Sequence, residues 1–323
     1  MTKGYGGQCR IGGHACLLSS YSLSMGTNMM ASAAVGPIWD NAGGHFARLR
    51  MPAVRDCPTH EIGLGLQATG EVLDYLLDEL CDNSFHEPVR VAFSDDTNGL
   101  SYDFGDAYVS SFSLSVQNNF AADVTLSLQH FRESFSAEWD GHSLRKNGGF
   151  GSSLAGPSLI PYWMFGLEMD GVGMDEDDVQ SFSLTFAQGV TPKFECAGGS
   201  DPIAPAPPVV IFGQAGISYE VTYLMYHEGG KYLYGLDSRT AFKQTGDIAV
   251  KWHRSPSDTE RYSMSDGYGS TGAKLLPGNS ARTLTLIMCH PETFSPQVGS
   301  PDSPNSMTVS GAVYGRPKFS KGS

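Results

Sequence analysis

The sequence predicts a mainly β protein, built as two β-sandwich or barrel-like domains with one flanking α-helix in the first. Three observations predict it. The ten-residue pattern Ser-aromatic-Ser-Leu-Ser/Thr-apolar-x-x-Asn/Gly-apolar occurs at residues 20–29, 111–120 and 181–190, and its strict alternation is the signature of strands with one buried face. The chain carries Gly 39 and Pro 18, which suits short strands and turns better than long helices. Only residues 69–82 have convincing helical periodicity.

The elements follow in order. Residues 1–16 are glycine-rich and read as irregular. The first copy of the pattern follows, then a glycine- and proline-bearing segment from Val35 through Gly36, Pro37 and Trp39 to Gly44, read as an extended loop or arm. Residues 45–51 alternate loosely as a strand, ended by Pro52–Pro58. In the helix, Val72, Leu73, Leu76, Leu77 and Leu80 share one face and Glu71, Asp74, Asp78 and Glu79 the other. Thr69 is its candidate N-cap and the early carboxylates suit the positive end of its dipole. Residues 89–93, 100–104, 108–116 and 122–128 read as successive strands, the first two joined at Asn98-Gly99, a pair that tolerates positive φ.

Residues 148–157, Gly148-Gly149-Phe150-Gly151-Ser152-Ser153-Leu154-Ala155-Gly156-Pro157, have linker composition. They place the domains at 1–147 and 158–323. The second domain has expected strands at 162–169, 179–186, 209–212, 218–226, 231–236, 282–288 and 307–313. It also has a proline-rich loop around Asp201, Pro205 and Pro208, a short helix within 240–251, and a C-terminal arm at 291–304. A fourth echo of the pattern, Tyr262-Ser263-Met264-Ser265, suggests a duplicated unit.

Charge and motifs narrow the function. Lys and Arg number 21 against 34 Asp and Glu, a net charge of −13, which opposes tight sequence-independent nucleic-acid binding but fits a wall that repels phosphate. No apolar run is long enough for a membrane helix, and the first residues lack the apolar core of a secretory signal. Six scattered cysteines fit free thiols better than a disulfide scaffold. Cys57-Pro58-Thr59-His60 and Cys289-His290 each lack a second ligand pair for zinc. Gly267–Lys274 misplaces the lysine of a phosphate loop. The acidic run Asp175–Asp178 lacks the spacing of a calcium loop. No hydrolase elbow, zinc-protease motif or Rossmann glycine run occurs. These failures predict no enzymatic activity, no cofactor and no metal.

The strand Val109-Ser110-Ser111-Phe112-Ser113-Leu114-Ser115-Val116-Gln117-Asn118-Asn119-Phe120, repeated as Val179-Gln180-Ser181-Phe182-Ser183-Leu184-Thr185-Phe186, resembles a strand common in bacteriophage tail-tube (major tail) proteins. The resemblance covers the first half and, through one strand and loop, the second. It implies a β-sandwich flanked by one helix that polymerises as stacked rings around a DNA channel, with the long loop after the first strand reaching the next ring. It implies a virion location in the tail, assembly in the host cytoplasm, and partners that are other copies, other tail proteins and transiting DNA, with no membrane insertion.

Ser111, Ser113, Ser115, Ser181, Ser183 and Thr185 are then candidates for the lumen. Val35, Gly36, Pro37, Trp39, Asp201, Pro205 and Pro208 are candidates for contacts between subunits. Two tube-like halves would make a ring of three copies; one would make a ring of six. Two other classes stay open, a surface-displayed virion β-sandwich (decoration or receptor-binding) and an enzyme acting on glycans or peptides.

Overall fold

A computed structural model describes residues 7–26, 29–30, 54–55, 59–95, 100–118, 120–131, 136–138, 160, 162, 165–169, 179–193, 209–224, 246–252, 282–297 and 305–321. The fold is mainly β, with one helix among these residues. The first nine strands are β1 (Gly7–Ile11), β2 (His14–Gly26), β3 (Met29–Met30), β4 (Val54–Arg55), β5 (Thr59–Gln67), β6 (Val89–Asp95), β7 (Leu100–Gln117), β8 (Asp123–His130) and β9 (Ser136–Glu138), with α1 (Gly70–Asn83) between β5 and β6. The next nine are β10 (Phe165–Met169), β11 (Val179–Ala187), β12 (Val190–Lys193), β13 (Val209–Phe212), β14 (Gly216–Leu224), β15 (Gly246–Trp252), β16 (Arg282–Gln297), β17 (Ser306–Val313) and β18 (Lys318–Lys321).

The two sets share one strand plan. In the first, β7, β6, β1, β2, β5 and β8 pair in turn, and β8 returns to β7, closing a six-stranded antiparallel barrel. In the second, β10, β15, β16, β17, β14 and β11 pair in turn, the order of β1, β6, β7, β8, β5 and β2, and among the described residues no β10–β11 ladder closes it. Strand β9 lies on the first part of β7 as β18 lies on the first part of β16. The ladder β3–β4 falls between β2 and β5 as β12–β13 falls between β11 and β14. Irregularities match too. The register shifts at Val89/Val91 in β6 and at Gly246/Ile248 in β15, and again at Val109/Ser111 in β7 and Pro291/Thr293 in β16. Each bulge bends a long strand, so β7 and β16 each begin on one wall and finish on the other.

One core serves both sets. Phe112, Leu114, Phe182, Leu184, Phe186, Trp252 and Leu286 belong to a single buried cluster with the helix residues Leu73, Leu76 and Leu77. The apolar stripe of α1 is buried as its spacing predicts, and its acidic side meets the second set. Asp74 pairs with Arg282 at 3.2 Å, Asp78 binds Lys321, and Arg316 donates to the carbonyls of Cys81 and Asp82 at the helix C-terminus, where a cation is favoured. The 148–157 boundary lies outside the described residues. The sets themselves join directly, through β7 and β11.

Several expectations need correction. Residues 7–11, read as irregular, form β1, because Cys9 and Ile11 are fully buried. Residues 59–67, where no strand is expected, also form one, in which buried His60, Ile62, Leu64 and Leu66 alternate with exposed or half-buried neighbours. The two strands expected at 100–104 and 108–116 are one, since Gly105 and Asp106 continue in extended conformation. Residues 246–252 are strand rather than helix: Ile248, Val250 and Trp252 point one way, which is period two. Residues 291–297, read as part of an arm, are the second part of β16. Pro291 and Pro296 argue locally against a strand, yet among the described residues this part of β16 ladders only with β17, and an edge tolerates proline. The strands expected at 45–51 and 231–236, the 262–265 echo and the glycine loop at 267–274 lie outside the described residues.

Candidate functional site

The second part of β7 pairs with β11 from Ser111↔Ala187 to Gln117↔Ser181. This joint fuses two four-stranded units into one antiparallel sheet, β2-β5-β8-β7-β11-β14-β17-β16. Registers run straight across it. One row is Ser20, Gly65, Thr125, Ser113, Thr185, Ser218, Ala312, His290. The next runs Gln67, Asp123, Ser115, Ser183, Glu220, Ser310, Thr293. A third holds Gln117, Ser181, Thr222, Thr308 and Ser295.

The rows between them face the other way. Leu64, Leu126, Phe112, Phe186, Leu114, Leu184 and Val309 are at most 1% exposed. The alternation therefore separates a continuous apolar face, which is core, from a continuous face of hydroxyl, small and acidic side chains. Ser111, Ser113, Ser115, Ser181 and Ser183 are half-buried on that face and Thr185 is exposed. All six lie on the polar side, and the β7–β11 joint brings them together. A one-residue slip of either strand would turn its apolar set outward, so the register is strongly specified. Gly63 and Gly65 fit this face at close range, since a Cβ on either would overlap the Oγ of Ser22 or Ser20.

The charge on this sheet has one sign. Across residues 14–26, 59–67, 108–117, 123–130, 179–187, 216–224, 289–297 and 306–313 there is no lysine or arginine, whereas Glu61, Asp123, Glu220 and Glu292 are present. Burial pushes the Asp123 carboxyl above its ordinary range, because a partly desolvated carboxylate is disfavoured.

Gln188 locks the joint where the ladder ends. Its backbone N–H donates to Ser110 O at 2.9 Å, and its buried side-chain amide donates to Val109 O at 2.9 Å and Phe85 O at 3.4 Å. Val109 stands at the bulge, where the ladder shifts, so its carbonyl takes a side-chain donor. Phe85, held at φ 56, packs tilted against Phe112 and edge-on against Phe186, with ring centroids 5.8 and 5.2 Å apart.

No family model matches the chain, and no curated protein matches it.

Other chemistry is sparse among the described residues. No group of three or more His, Cys, Asp or Glu is arranged to hold a metal ion. His60 and His130 are buried side by side, their Nδ1 atoms 3.4 Å apart, next to Phe104. Burial pushes His60 below its ordinary pKa, which suits a core histidine held neutral. Cys9 and Cys16 face each other on β1 and β2, both buried, and burial raises Cys9 well above an ordinary thiol. No helix of the described residues is long and apolar enough to cross a membrane. The loop candidates Val35, Gly36, Pro37, Trp39, Asp201, Pro205 and Pro208 lie outside the described residues.

Sequence reasoning missed the polar contributions of β5, β8, β14 and β17, and the fourth copy of the repeat. The bulges align β16 on β7 so that Thr293, Phe294 and Ser295 take the places of Ser111, Phe112 and Ser113. Thr-Phe-Ser is the surviving signal, hidden because Pro296 replaces the leucine.

Proposed function

We propose that this chain is a structural subunit of a bacteriophage tail tube, three copies closing a pseudo-sixfold ring whose lumen is the polar eight-stranded face. The observation that carries the reading is that face: continuous across both units, hydroxyl-rich, and without lysine or arginine. DNA passing through a tube must slide, so its wall must not release counterions and hold phosphates, which basic residues do. Hydroxyls keep such a wall wetted, and carboxylates repel the backbone. Duplication supports the ring of three, because each chain supplies two equivalent units.

In this reading the apolar side faces the subunit's own core, and α1 braces the two units from behind the sheet. The protein acts as a wall, not an enzyme, resides in the virion tail after assembly in the host cytoplasm, and needs no cofactor. Its partners are copies of itself, other tail proteins and transiting DNA.

Electron microscopy of the concentrated, negatively stained protein tests this. Rings or stacked filaments with an open centre and six lobes are expected. A population of discrete monomers with no rings would overturn the tube and favour a surface-displayed module.

A further inference from the structure

We propose that copies of this chain join edge to edge, β2 of one pairing antiparallel with the second part of β16 of the next, in the register already used inside the chain between β11 and β7. The inference rests on the self-association proposed above, not on the passage of DNA, and it adds which edges meet and which residues face each other.

The argument begins with equivalence. Strand β2 pairs with β5 as β11 pairs with β14: Ser22↔Gly63 corresponds to Ser183↔Glu220, and Gly26↔Thr59 to Ala187↔Gly216. At the other side β16 pairs with β17 as β7 pairs with β8: Ser295↔Thr308 corresponds to Ser113↔Thr125, and Gln297↔Ser306 to Ser115↔Asp123. The eight-stranded sheet thus ends in the same two strand types that meet at its centre. At the centre they bond, with Ser183↔Ser115, Thr185↔Ser113 and Ala187↔Ser111. At the ends, among the described residues, Ser20–Gly26 of β2 ladders only with β5, and Thr293–Gln297 of β16 only with β17.

Transferring the central register to the ends places Ser22 opposite Gln297 of the neighbouring copy, Ser24 opposite Ser295, and Gly26 opposite Thr293. A central joint and an end joint related in this way continue the sheet in one sense of rotation. The contact is heterologous, and it propagates until it closes.

Burial supplies the second observation. Phe182 and Leu184, covered at the central joint, are 4% and 0% exposed. Their counterparts Tyr21 and Leu23, with the same core behind them, remain half-exposed. The strand that would cover them is the one the joint supplies.

Pro291 and Pro296 each remove an N–H from the β16 edge. The end joint therefore has fewer backbone donors than the central one, and stray strands are disfavoured there. That composition suits an edge reserved for one partner.

The test is disulfide trapping in the full chain. Ser22, Ser24, Ser295 and Gln297 are exposed, so cysteines there leave the core untouched. Ser22→Cys with Gln297→Cys is compared with the out-of-register pair Ser24→Cys with Gln297→Cys, and with the unaltered chain, under mild oxidation. Directly opposed residues bridge, whereas residues two positions out of register stand beyond about 7 Å and do not. The expected result is a covalent ladder ending in a closed oligomer for the in-register pair, at least tenfold above both controls. Rings in the microscope with no such link, or with equal linking out of register, would overturn the joint and leave self-association standing. Protein that stays monomeric would overturn both.

Discussion

Residues 20–26 and 181–187 carry the same alternating pattern on equivalent strands, yet they live in different surroundings. Phe182, Leu184 and Phe186 lie against β7 and are nearly inaccessible, while Tyr21 and Leu23 keep part of their surface. The intrinsic preferences of the two segments are alike; the strand laid across the edge is what differs. Among the described residues, 181–187 is laddered on both edges and 20–26 on one.

Substitution at the two places would expose the difference most strongly. Phe112, wholly buried at the central joint and packed on Phe85, loses about 3–5 kcal/mol when changed to Ala. Tyr21→Ala costs the isolated chain only about 1–2 kcal/mol, because less of the side chain leaves water. Denaturant unfolding of both variants checks this, and equal losses would erase the contrast.

Next in size is the brace between the units. Asp74 and Arg282 have side chains 8% and 11% exposed, and removing one member of such a pair is costly. Asp74→Ala should destabilise the protein by about 3 kcal/mol, measured by the same unfolding experiment. If the units lean on each other only through β7 and β11, the loss falls to that of a surface pair.

A smaller effect concerns pH. His60 is depressed in the folded protein, so the unfolded chain takes up the proton first. Stability is unaffected by this group above pH about 6.5 and falls as pH drops below it, by at most about 1.4 kcal/mol per unit for one proton. Urea titrations between pH 7 and 5 should give that slope, flattened in His60→Phe.

The repeat made the polar and apolar sides of β7 and β11 legible because a period of two needs no knowledge of the partner. Helix α1 was legible for a similar reason, since Val72, Leu73, Leu76, Leu77 and Leu80 describe one stripe. What the sequence left hidden depended on long-range pairing. Strand β16 contains Pro291 and Pro296, which locally argue against a strand, and only its edge position makes them acceptable. The alternation of Thr59–Gln67 is diluted by Gly63 and Gly65, whose role emerges only opposite Ser22 and Ser20. The unity of the polar face could not be read at all, because its rows cross from one half to the other at a joint between residues far apart in the chain.

The smallest expected change in stability comes at the centre of that face. Ser113→Lys should alter unfolding by no more than about 0.5 kcal/mol, since the side chain can extend into solvent. Its assembled form should retain DNA that the unaltered assembly releases, as read by filter retention across a salt series, with retention fading as salt rises.

The central claim is that the Ser113 face lines a channel, and labelling of Ser113→Cys in the assembled protein tests it most directly. A small maleimide and a maleimide carried on a protein too wide for the channel are compared, with the unaltered assembly as background. The account predicts that the small reagent labels the new cysteine in both monomer and assembly, and that the wide one labels it only in the monomer. Equal labelling of the assembly by the wide reagent would put this face on the outside and contradict the account.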